Sequence, residues 1–262
     1  MSFPFTRTRR GLAMLALVGL AAAATAAQQT TLSPALLDDP TRSEDDRYRD
    51  EGFKPLEVYG FFGVEPGMTV ADLWTSRGYN AHILAHAVGD TGKLYAVVAP
   101  FESSAERTER SRQALTERFE AAGLTNYEIV ADLAALPANS LDVMVTVRNY
   151  HDLGEKEARL EALPHMMRVL KPGGILGVVD AHTDKTDERD ESVHRINEDL
   201  ARAEITSGGF EFVAASDVLY NSEDTFDFDG RERAGVRGAT QDAPIHRYFI
   251  HRWVHKYRKP SN

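Results

Sequence analysis

The stretch of sequence that decides the fold is residues 63–78, which read GVEPGMTVADLWTSRG. The proline and glycine at positions 66–67 are a turn signal. The apolar run Thr69–Leu73 after them has the length and composition of a buried strand. A helical pattern follows over Asn80–Val88, and Gly89 is a natural stop for it. A strand followed closely by a helix is the first unit of an α/β sheet, and the remaining elements are predicted outward from it.

The alternation of strands and helices continues along the chain. The further predicted strands are Lys93–Val98, Tyr127–Ala131, Leu141–Val147 and Gly173–Val179, and the helices between or after them are Ser103–Ala122, Glu155–Leu170 and Glu191–Thr206. Two final strands, Phe210–Tyr220 and Ile245–Val254, have no helix between them, so we expect them to pair as an antiparallel hairpin. This order predicts an α/β fold with a doubly wound, Rossmann-like sheet of parallel strands, closed by a C-terminal antiparallel hairpin.

The N-terminal segment, residues 1–27, has the pattern of a secretory signal peptide. Three arginines between positions 7 and 10 precede an apolar run over 11–24, and small residues at 24–26 fit a cleavage site. The alternative is an uncleaved anchor, but a spanning helix needs about 20 apolar residues. We therefore predict an exported, periplasmic protein that has no membrane attachment after cleavage. The arginines leave open whether the general or the twin-arginine route is used.

Charge and composition exclude several classes of partner and chemistry. The full chain has a net charge of −10, and removal of the signal peptide takes away three arginines and no acidic residue. An acidic chain of this kind is not expected to bind nucleic acid through general electrostatics. The absence of cysteine excludes disulfides, thiolate catalysis and thiolate metal sites. The expected partner is a small-molecule substrate, and the oligomeric state stays open.

The mature chain divides into an arm and one domain. Residues 28–54 are polar and highly charged and are predicted to be an arm on a domain that covers 55–262. The arm is either a lid over a ligand crevice, with Arg47 or Arg49 pointing inward, or a salt-bridged surface segment. The long acidic connection at 221–244 is either a cover for substrate or a disordered segment.

Several segments carry a resemblance to a known family. They are residues 63–73 before and in the first strand, 149–153 after the fourth, the Lys-Pro-Gly-Gly turn within 170–174, and residues 180–182 and 194–196. In order and spacing these segments resemble the class I S-adenosylmethionine-dependent methyltransferases, and more narrowly an exported bacterial branch of them. The resemblance implies that the chain binds S-adenosylmethionine and transfers its methyl group.

The resemblance places the cofactor site at Asp72, Trp74, Ser76, Gly78 and Asp132. The loop of the family reads Asp-x-Gly-x-Gly-x-Gly, because glycine lets the backbone turn sharply beside the cofactor. Here only the first acid and the last glycine remain.

A second departure lies at the end of the second strand. The family usually has an acid there that binds the ribose hydroxyls, whereas this chain has Val98. Glu102 is a candidate replacement. The cofactor signature is therefore about half present, and the binding of S-adenosylmethionine is an open expectation.

Two histidines and two aspartates are expected at the tips of the fourth and fifth strands. They are His151, Asp152, Asp180 and His182. These strands are neighbours in the family's architecture, and a histidine oriented by a carboxylate is a suitable general base, so we predict a catalytic role for all four. One alternative is that they only hydrogen-bond to backbone at the strand ends. Another is that the same four residues hold a metal ion.

Three further residues are predicted to contact the substrate: Tyr150, His194 and Arg195. The arginine is placed either against an anionic group of the substrate or cofactor, or in a surface ion pair. His82 and His86 have the i, i+4 spacing of a metal-binding pair, but no acid stands beside them in the pattern of a zinc protease. We interpret them as a solvated pair and predict no metal site.

The leading functional prediction is a methyltransferase that uses S-adenosylmethionine and acts on a small molecule in an exported compartment. The alternative is a non-catalytic or repurposed binding protein with a degenerate cofactor site, because the methyl donor is made in the cytoplasm and the loop has lost glycines. A third possibility is a metal-dependent activity of the histidine and aspartate cluster.

Overall fold

A seven-stranded sheet forms the centre of the protein in the computed structural model, which describes residues 30–99, 104–226 and 250–261. The strands are β1 (Thr69–Leu73), β2 (Lys93–Val97), β3 (Tyr127–Val130), β4 (Leu141–Val147), β5 (Leu170–Ala181), β6 (Glu211–Ser216) and β7 (Arg252–Arg258). Their order in the sheet is β3-β2-β1-β4-β5-β7-β6. Strands β1 to β5 are parallel, and β7 runs antiparallel to both of its neighbours. The predicted fold class, including the closing antiparallel hairpin of β6 and β7, is confirmed.

Helices cover both faces of this sheet. They are α1 (Glu44–Phe53), α2 (Pro55–Phe62), α3 (Tyr79–Val88), α4 (Ala105–Ala121), α5 (Lys156–Val169) and α6 (Glu198–Ser207). Alternate residues of each strand point to opposite faces, so the sheet supports two apolar cores. Side chains such as Val70 and Leu94 pack with α2, α3 and α4, whereas Leu73 and Val97 pack with α5 and α6.

The strand order reverses between β1 and β4. The chain proceeds outward from β1 through β2 to β3 on one side, and from β4 to β5 on the other. The connections that leave β1 and β4 therefore diverge, and a crevice opens at the carboxyl ends of these two strands. This is the position in which the fold places a ligand.

The region before α6 differs from its sequence prediction. A helix was expected from Glu191, but residues 190 and 195 form an isolated antiparallel bridge and α6 begins at Glu198. The side chain of Asn197 accepts the backbone N–H groups of Asp199 and Leu200 and so caps the helix. The bridge and this cap together move the start of the helix by two turns, so that residues 191–196 lie in a loop.

The N-terminal arm is a folded, ion-paired surface segment in the part described. Arg42 pairs with Asp50 at 2.6 Å, and Arg49 pairs with Asp45 at 2.8 Å. Arg47 donates hydrogen bonds to backbone carbonyls within the arm. This arrangement agrees with the salt-bridged interpretation, although the guanidinium of Arg49 also lies 5.5 Å from the ring centroid of Tyr79 in α3.

Two predicted segments fall on residues that the structure does not describe. The predicted signal peptide, residues 1–27, lies outside the described residues, and so does most of the 221–244 connection, from residue 227 onward. No helix among the described residues combines the length and the apolar character that crossing a bilayer requires.

Candidate functional site

An open cleft of about 430 Å³ lies beyond the carboxyl ends of β1 and β4. Its volume falls in the range of small-molecule sites. The residues that line it are Trp74, Ser76, Arg107, Asn149, Asp152, Gly154, Arg189, Glu191 and His194. Four of these were predicted from sequence, and they come from three separate segments of the chain. No residue of the arm is among them.

The loop after β1 keeps a glycine-type backbone without the glycines. The φ angles are 62° at Trp74, 52° at Ser76 and 82° at Gly78, all in the left-handed region. Glycine adopts this region freely, whereas any other residue is destabilised there by about 1–2 kcal/mol. Gly78 is also required for packing, because a Cβ atom on it would lie 2.6 Å from Leu115 of α4. The two residues that stand where the family has glycine therefore adopt the backbone conformation that glycine favours.

The side chain of Trp74 forms a wall of the cleft. It is half-buried and packs against the core on the α5 and α6 face of the sheet. The indole therefore lies beside the space that the cleft offers and does not fill it. An aromatic wall of this kind suits a planar ligand group, since aromatic rings stack on one another.

Asp72 lies under this loop as a fully buried carboxylate. Within the described part of the chain, neither of its oxygens makes a hydrogen bond of normal geometry. Burial raises the pKa of Asp72 to about 7, and the nearby Thr75 hydroxyl and Ala81 backbone N–H only moderate this rise. A buried acceptor without a donor is costly, and such groups are commonly retained for function.

Asn149 ties the two strand ends together. Its side-chain amide donates to the carbonyl of Leu73 at 3.0 Å and to that of Trp74 at 3.4 Å. These bonds join the tip of β4 to the loop after β1. Sequence reasoning included Asn149 in a motif but gave it no role, because the partners are backbone atoms more than 70 positions away.

Three of the four predicted catalytic residues form one chain of contacts. The Nδ1 atom of His151 lies 2.7 Å from Oδ1 of Asp180, and the backbone N–H of His151 donates to Oδ2 at 2.9 Å. The Nε2 atom of His151 lies 3.3 Å from Oδ1 of Asp152, although the angle is not that of a hydrogen bond. His151 and Asp180 are buried, whereas Asp152 is 26% exposed and lines the cleft.

This chain of contacts holds a histidine beside a carboxylate at the cleft. Burial alone would raise the pKa of Asp180, but the charge of His151 and the hydrogen bonds that the carboxylate accepts hold that pKa below its ordinary value. A carboxylate bound to Nδ1 fixes the orientation of the ring. His151 is therefore held with Nε2 beside Asp152, and Asp152 is the carboxylate of the two that faces the cleft.

His182, the fourth predicted catalytic residue, belongs to a different cluster. Its ring centroid lies 5.2 Å from that of His251 and 5.1 Å from that of Phe226. It does not line the cleft. The prediction that all four residues converge is therefore wrong for His182, and the interpretation of the four as one metal site fails with it.

Tyr150 and Arg195 lie in buried polar clusters and not at the cleft. The hydroxyl of Tyr150 donates to Glu204 at 3.0 Å, and Arg159 contacts the same carboxylate at 2.7 and 2.8 Å. Arg195 is fully buried and pairs with Asp224 at 2.7 Å. The structure therefore does not support substrate contacts by Tyr150 or Arg195, whereas His194, the third predicted contact, lines the cleft.

Comparisons with known proteins find methyltransferases among the similar sequences and structures. No family model matches the sequence. The chain is 31% identical over 118 residues to a ubiquinone/menaquinone biosynthesis C-methyltransferase, UbiE, of Shewanella oneidensis, a match that covers 45% of this chain and 44% of the relative. The UbiE protein of Shewanella frigidimarina is 31% identical over 122 residues, with 47% and 46% covered. The chain thus spans less than half the length of the curated relatives it matches.

Solved structures share the whole architecture at low identity. A SAM-dependent methyltransferase from Aquifex aeolicus superposes with a TM-score of 0.57 at 22% identity, covering 85% of this chain and 94% of that one. A putative sarcosine dimethylglycine methyltransferase from Galdieria sulphuraria gives 0.55 at 16% identity, covering 89% and 94%. The fold is that of the class I methyltransferases.

The class I methyltransferase fold does not by itself fix a reaction. The [4+2]-cyclase SpnF also superposes on this chain, with a TM-score of 0.57 at 18% identity over 83% of this chain and 81% of its own. Function has to be argued from the site.

The described residues fit S-adenosylmethionine at the loop but not at every expected contact. The left-handed backbone at Trp74 and Ser76 is the conformation that glycine favours, and Asp72 offers a buried acceptor at the same loop. Asp132 caps a short helix by accepting two backbone N–H groups. It does not line the cleft.

The ribose-binding acid is missing from the described end of β2. Val98 is buried there, and its backbone N–H donates to the carbonyl of Val130. Glu102, the candidate replacement, lies outside the described residues.

Proposed function

We propose that this protein is a methyltransferase that uses S-adenosylmethionine, acts on a small molecule and works in an exported compartment. One observation carries the proposal: the glycine-type loop after β1 and the carboxylate of Asp152 after β4 line the same cleft. The loop is the part of the fold that holds the methyl donor, and the carboxylate is a proton acceptor. The similarity to C-methyltransferases that act in quinone biosynthesis supports a small organic acceptor.

When S-adenosylmethionine is bound, it supplies an electrophilic methyl group. The chain's own contribution is to position the acceptor and to take up its proton. In this proposal Asp152 accepts the proton at its carboxylate, because it is the acid of the chain of contacts that faces the cleft. His151 lies beside Asp152 at 3.3 Å, and Asp180 acts as a positioning residue by holding the ring.

Tryptophan fluorescence offers a direct test of cofactor binding. Trp74 and Trp253 are the two tryptophans of the chain. Trp253 is buried and donates its indole N–H to the carbonyl of Ile196 at 3.0 Å. In a Trp253→Phe variant the remaining signal comes from the cleft wall alone. Titration with S-adenosylmethionine and S-adenosylhomocysteine is expected to change this signal saturably, at micromolar ligand.

Calorimetry with matched variants completes the test. A Trp74→Ala variant is expected to weaken cofactor binding by about tenfold, the effect of removing a stacking aromatic ring. Asp152→Asn is expected to leave binding intact but to abolish turnover of an accepted substrate. Absence of saturable binding of either ligand up to millimolar concentration overturns the methyltransferase proposal.

The second candidate is a binding protein that has the same fold but lacks the reaction. Val98 at the end of β2 favours it, because an apolar side chain there offers no acceptor for the ribose hydroxyls. The two candidates predict different results in the titration. A cleft that binds S-adenosylmethionine is consistent with the first, and a cleft that binds another planar ligand but not this one is consistent with the second.

The exported location is tested separately. Intact mass measurement of the protein recovered from a periplasmic extract is expected to give a chain that lacks residues 1–27. Recovery of the uncleaved chain from the cytoplasm contradicts this part of the proposal.

A further inference from the structure

Three possible metal ligands meet on the side of α3 that faces the N-terminal arm. His82 and His86 lie one turn apart on α3, with ring centroids 4.9 Å apart. The Oδ2 atom of Asp39 lies 3.0 Å from Nε2 of each of them. His82 is fully buried, so the sequence interpretation of a solvated pair is wrong for it. The sequence shows the histidine spacing but not the acid, which comes from a segment 43 positions earlier.

We propose that Asp39, His82 and His86 form a binding site for a zinc-like divalent transition-metal ion. Two imidazole nitrogens and one carboxylate oxygen are a common ligand set for zinc, with water as the fourth ligand. The three ligand atoms all lie within 4.8 Å of one another. This site is separate from the cleft, and the proposal does not depend on the proposed function.

The distances between the ligand atoms are close to those of a zinc site. Zinc bonds of 2.0–2.1 Å in a tetrahedron set the ligand atoms about 3.3 Å apart. The oxygen of Asp39 is 3.0 Å from each histidine nitrogen and has to move away by a few tenths of an ångström, and the two nitrogens, which lie within 4.8 Å of each other, have to come to about the same spacing. His86 is 29% exposed, which provides a route for the ion and a position for a bound water.

The surroundings of Asp39 orient it for this role. Its other oxygen, Oδ1, accepts hydrogen bonds from the backbone N–H and the hydroxyl of Thr41, both at 2.7 Å. The carboxylate is therefore fixed with Oδ2 directed at the two imidazoles. Hydrogen bonds of this kind to a ligand are typical of metal sites, where they fix its orientation.

The contact of Arg118 with His82 disfavours metal binding, so a variant at Arg118 provides a control. Its Nε atom donates to Nδ1 of His82 at 3.3 Å, whereas a histidine that binds metal through Nε2 carries its proton on Nδ1. Arg118 also pairs with Asp46 at 2.7 Å, so its charge is partly balanced. Removal of Arg118 is therefore expected to tighten metal binding, a result that a purely structural cluster does not predict.

A bound ion would connect two parts of the fold. Asp39 belongs to the arm, and the two histidines belong to α3, which begins directly after Gly78 of the loop. The ion would fasten the arm to the helix that continues from that loop. We therefore expect metal binding to stabilise the arm and α3 together.

The test is a titration of the chelator-treated full chain, purified without a histidine tag, with zinc chloride in a calorimeter. We expect one ion per chain and a rise in the melting temperature with added zinc. Cobalt(II) is the second probe, and its visible absorption bands are expected to report four-coordinate geometry. His86→Ala is expected to weaken binding by at least tenfold, and His86→Gln provides a second variant if the first does not fold.

A matched control separates this site from adventitious binding. His165 is exposed on α5, and His165→Ala is expected to bind zinc as the wild type does. Arg118→Met is expected to bind zinc severalfold more tightly. Equal affinity of the wild type and both His86 variants, or no stoichiometric binding up to millimolar zinc, overturns the proposal.

Discussion

The buried carboxylate of Asp72 is expected to make the fold less stable as the pH rises. Its pKa is about 7 in the folded protein, against an ordinary value of 3.8. Between pH 4 and pH 7 the folded state therefore holds a proton that the unfolded state has lost. The free energy of unfolding falls with rising pH wherever the folded state binds more protons. Asp72→Asn removes this contribution, so the variant gains stability relative to the wild type as the pH increases.

The size of the effect follows from the difference in pKa. One pKa unit corresponds to about 1.4 kcal/mol, so a raised pKa of this size gives about 3 kcal/mol between pH 4.5 and pH 8. The buried amide of the variant has its own cost, but that cost does not depend on pH and cancels in the comparison. In a domain of this size the change corresponds to a relative shift in melting temperature of about 6–12 °C.

The assay is urea denaturation of both proteins at several pH values from 4.5 to 8, followed by circular dichroism. Asp184→Asn, which removes an exposed carboxylate, controls for the loss of one negative charge. The reasoning is refuted if the difference in the free energy of unfolding between wild type and Asp72→Asn is the same at both ends of this range. Such a result would mean that Asp72 is ionised in the folded protein and has found a donor.

Three other perturbations test the loop, a buried ion pair and the proton-accepting chain. Ser76→Gly relieves left-handed strain of about 1–2 kcal/mol against a glycine entropy cost of about 0.5–1 kcal/mol. Urea denaturation should therefore show a gain in the free energy of unfolding of up to about 1.5 kcal/mol, and a loss would argue against strain in the loop. Glu204→Gln leaves Arg159 buried without its carboxylate and is expected to lower the free energy of unfolding by about 3–5 kcal/mol. The double variant Arg159→Met/Glu204→Leu removes both charges and is expected to recover this stability. Equal losses in the single and the double variant would mean that packing, and not charge, is responsible. Asp180→Asn is expected to lower kcat by about 10²–10⁴-fold and to alter the pH dependence of kcat, while the Kd for the cofactor stays unchanged. An unaltered pH dependence would show that Asp180 and His151 take no part in the mechanism.

The elements of the fold were predictable because periodicity and turn residues act locally. The bounds of β1 and β4 agree with the sequence prediction, since each is an apolar run bounded by polar or turn residues. The start of α6 was not predictable from periodicity, because the isolated bridge between residues 190 and 195 competes with helix there. Asn197, a good capping residue, was the local signal for the observed start.

The site was harder to predict than the fold, because side-chain direction depends on tertiary packing. Tyr150 and His151 are adjacent in sequence, yet the first joins the buried cluster around Glu204 and the second contacts Asp180. Arg195 pairs with Asp224, which lies 29 positions later in the chain, and no pattern in the sequence predicts this ion pair. Positions at strand tips could be identified, but the direction of each side chain could not.

The loop after β1 shows a different limit of sequence reasoning. Loss of glycine at Trp74 and Ser76 suggested a changed loop, because those positions usually need a residue without a side chain. The backbone nevertheless adopts left-handed φ angles at both positions. The loss of glycine residues therefore does not by itself predict a change in the backbone conformation of this loop.

The amide of Asn149 has a consequence for how a ligand would enter the cleft. Its bonds to the carbonyls of Leu73 and Trp74 hold the loop against the tip of β4 with the cleft open. The loop is then already ordered before a ligand binds, so binding would cost little conformational entropy for ordering the loop. The same two bonds connect the loop after β1 to the segment after β4 that carries Asp152. If the proposed function holds, a displacement of Asp152 is transmitted through Asn149, three residues earlier, to the loop where the proposed methyl donor binds.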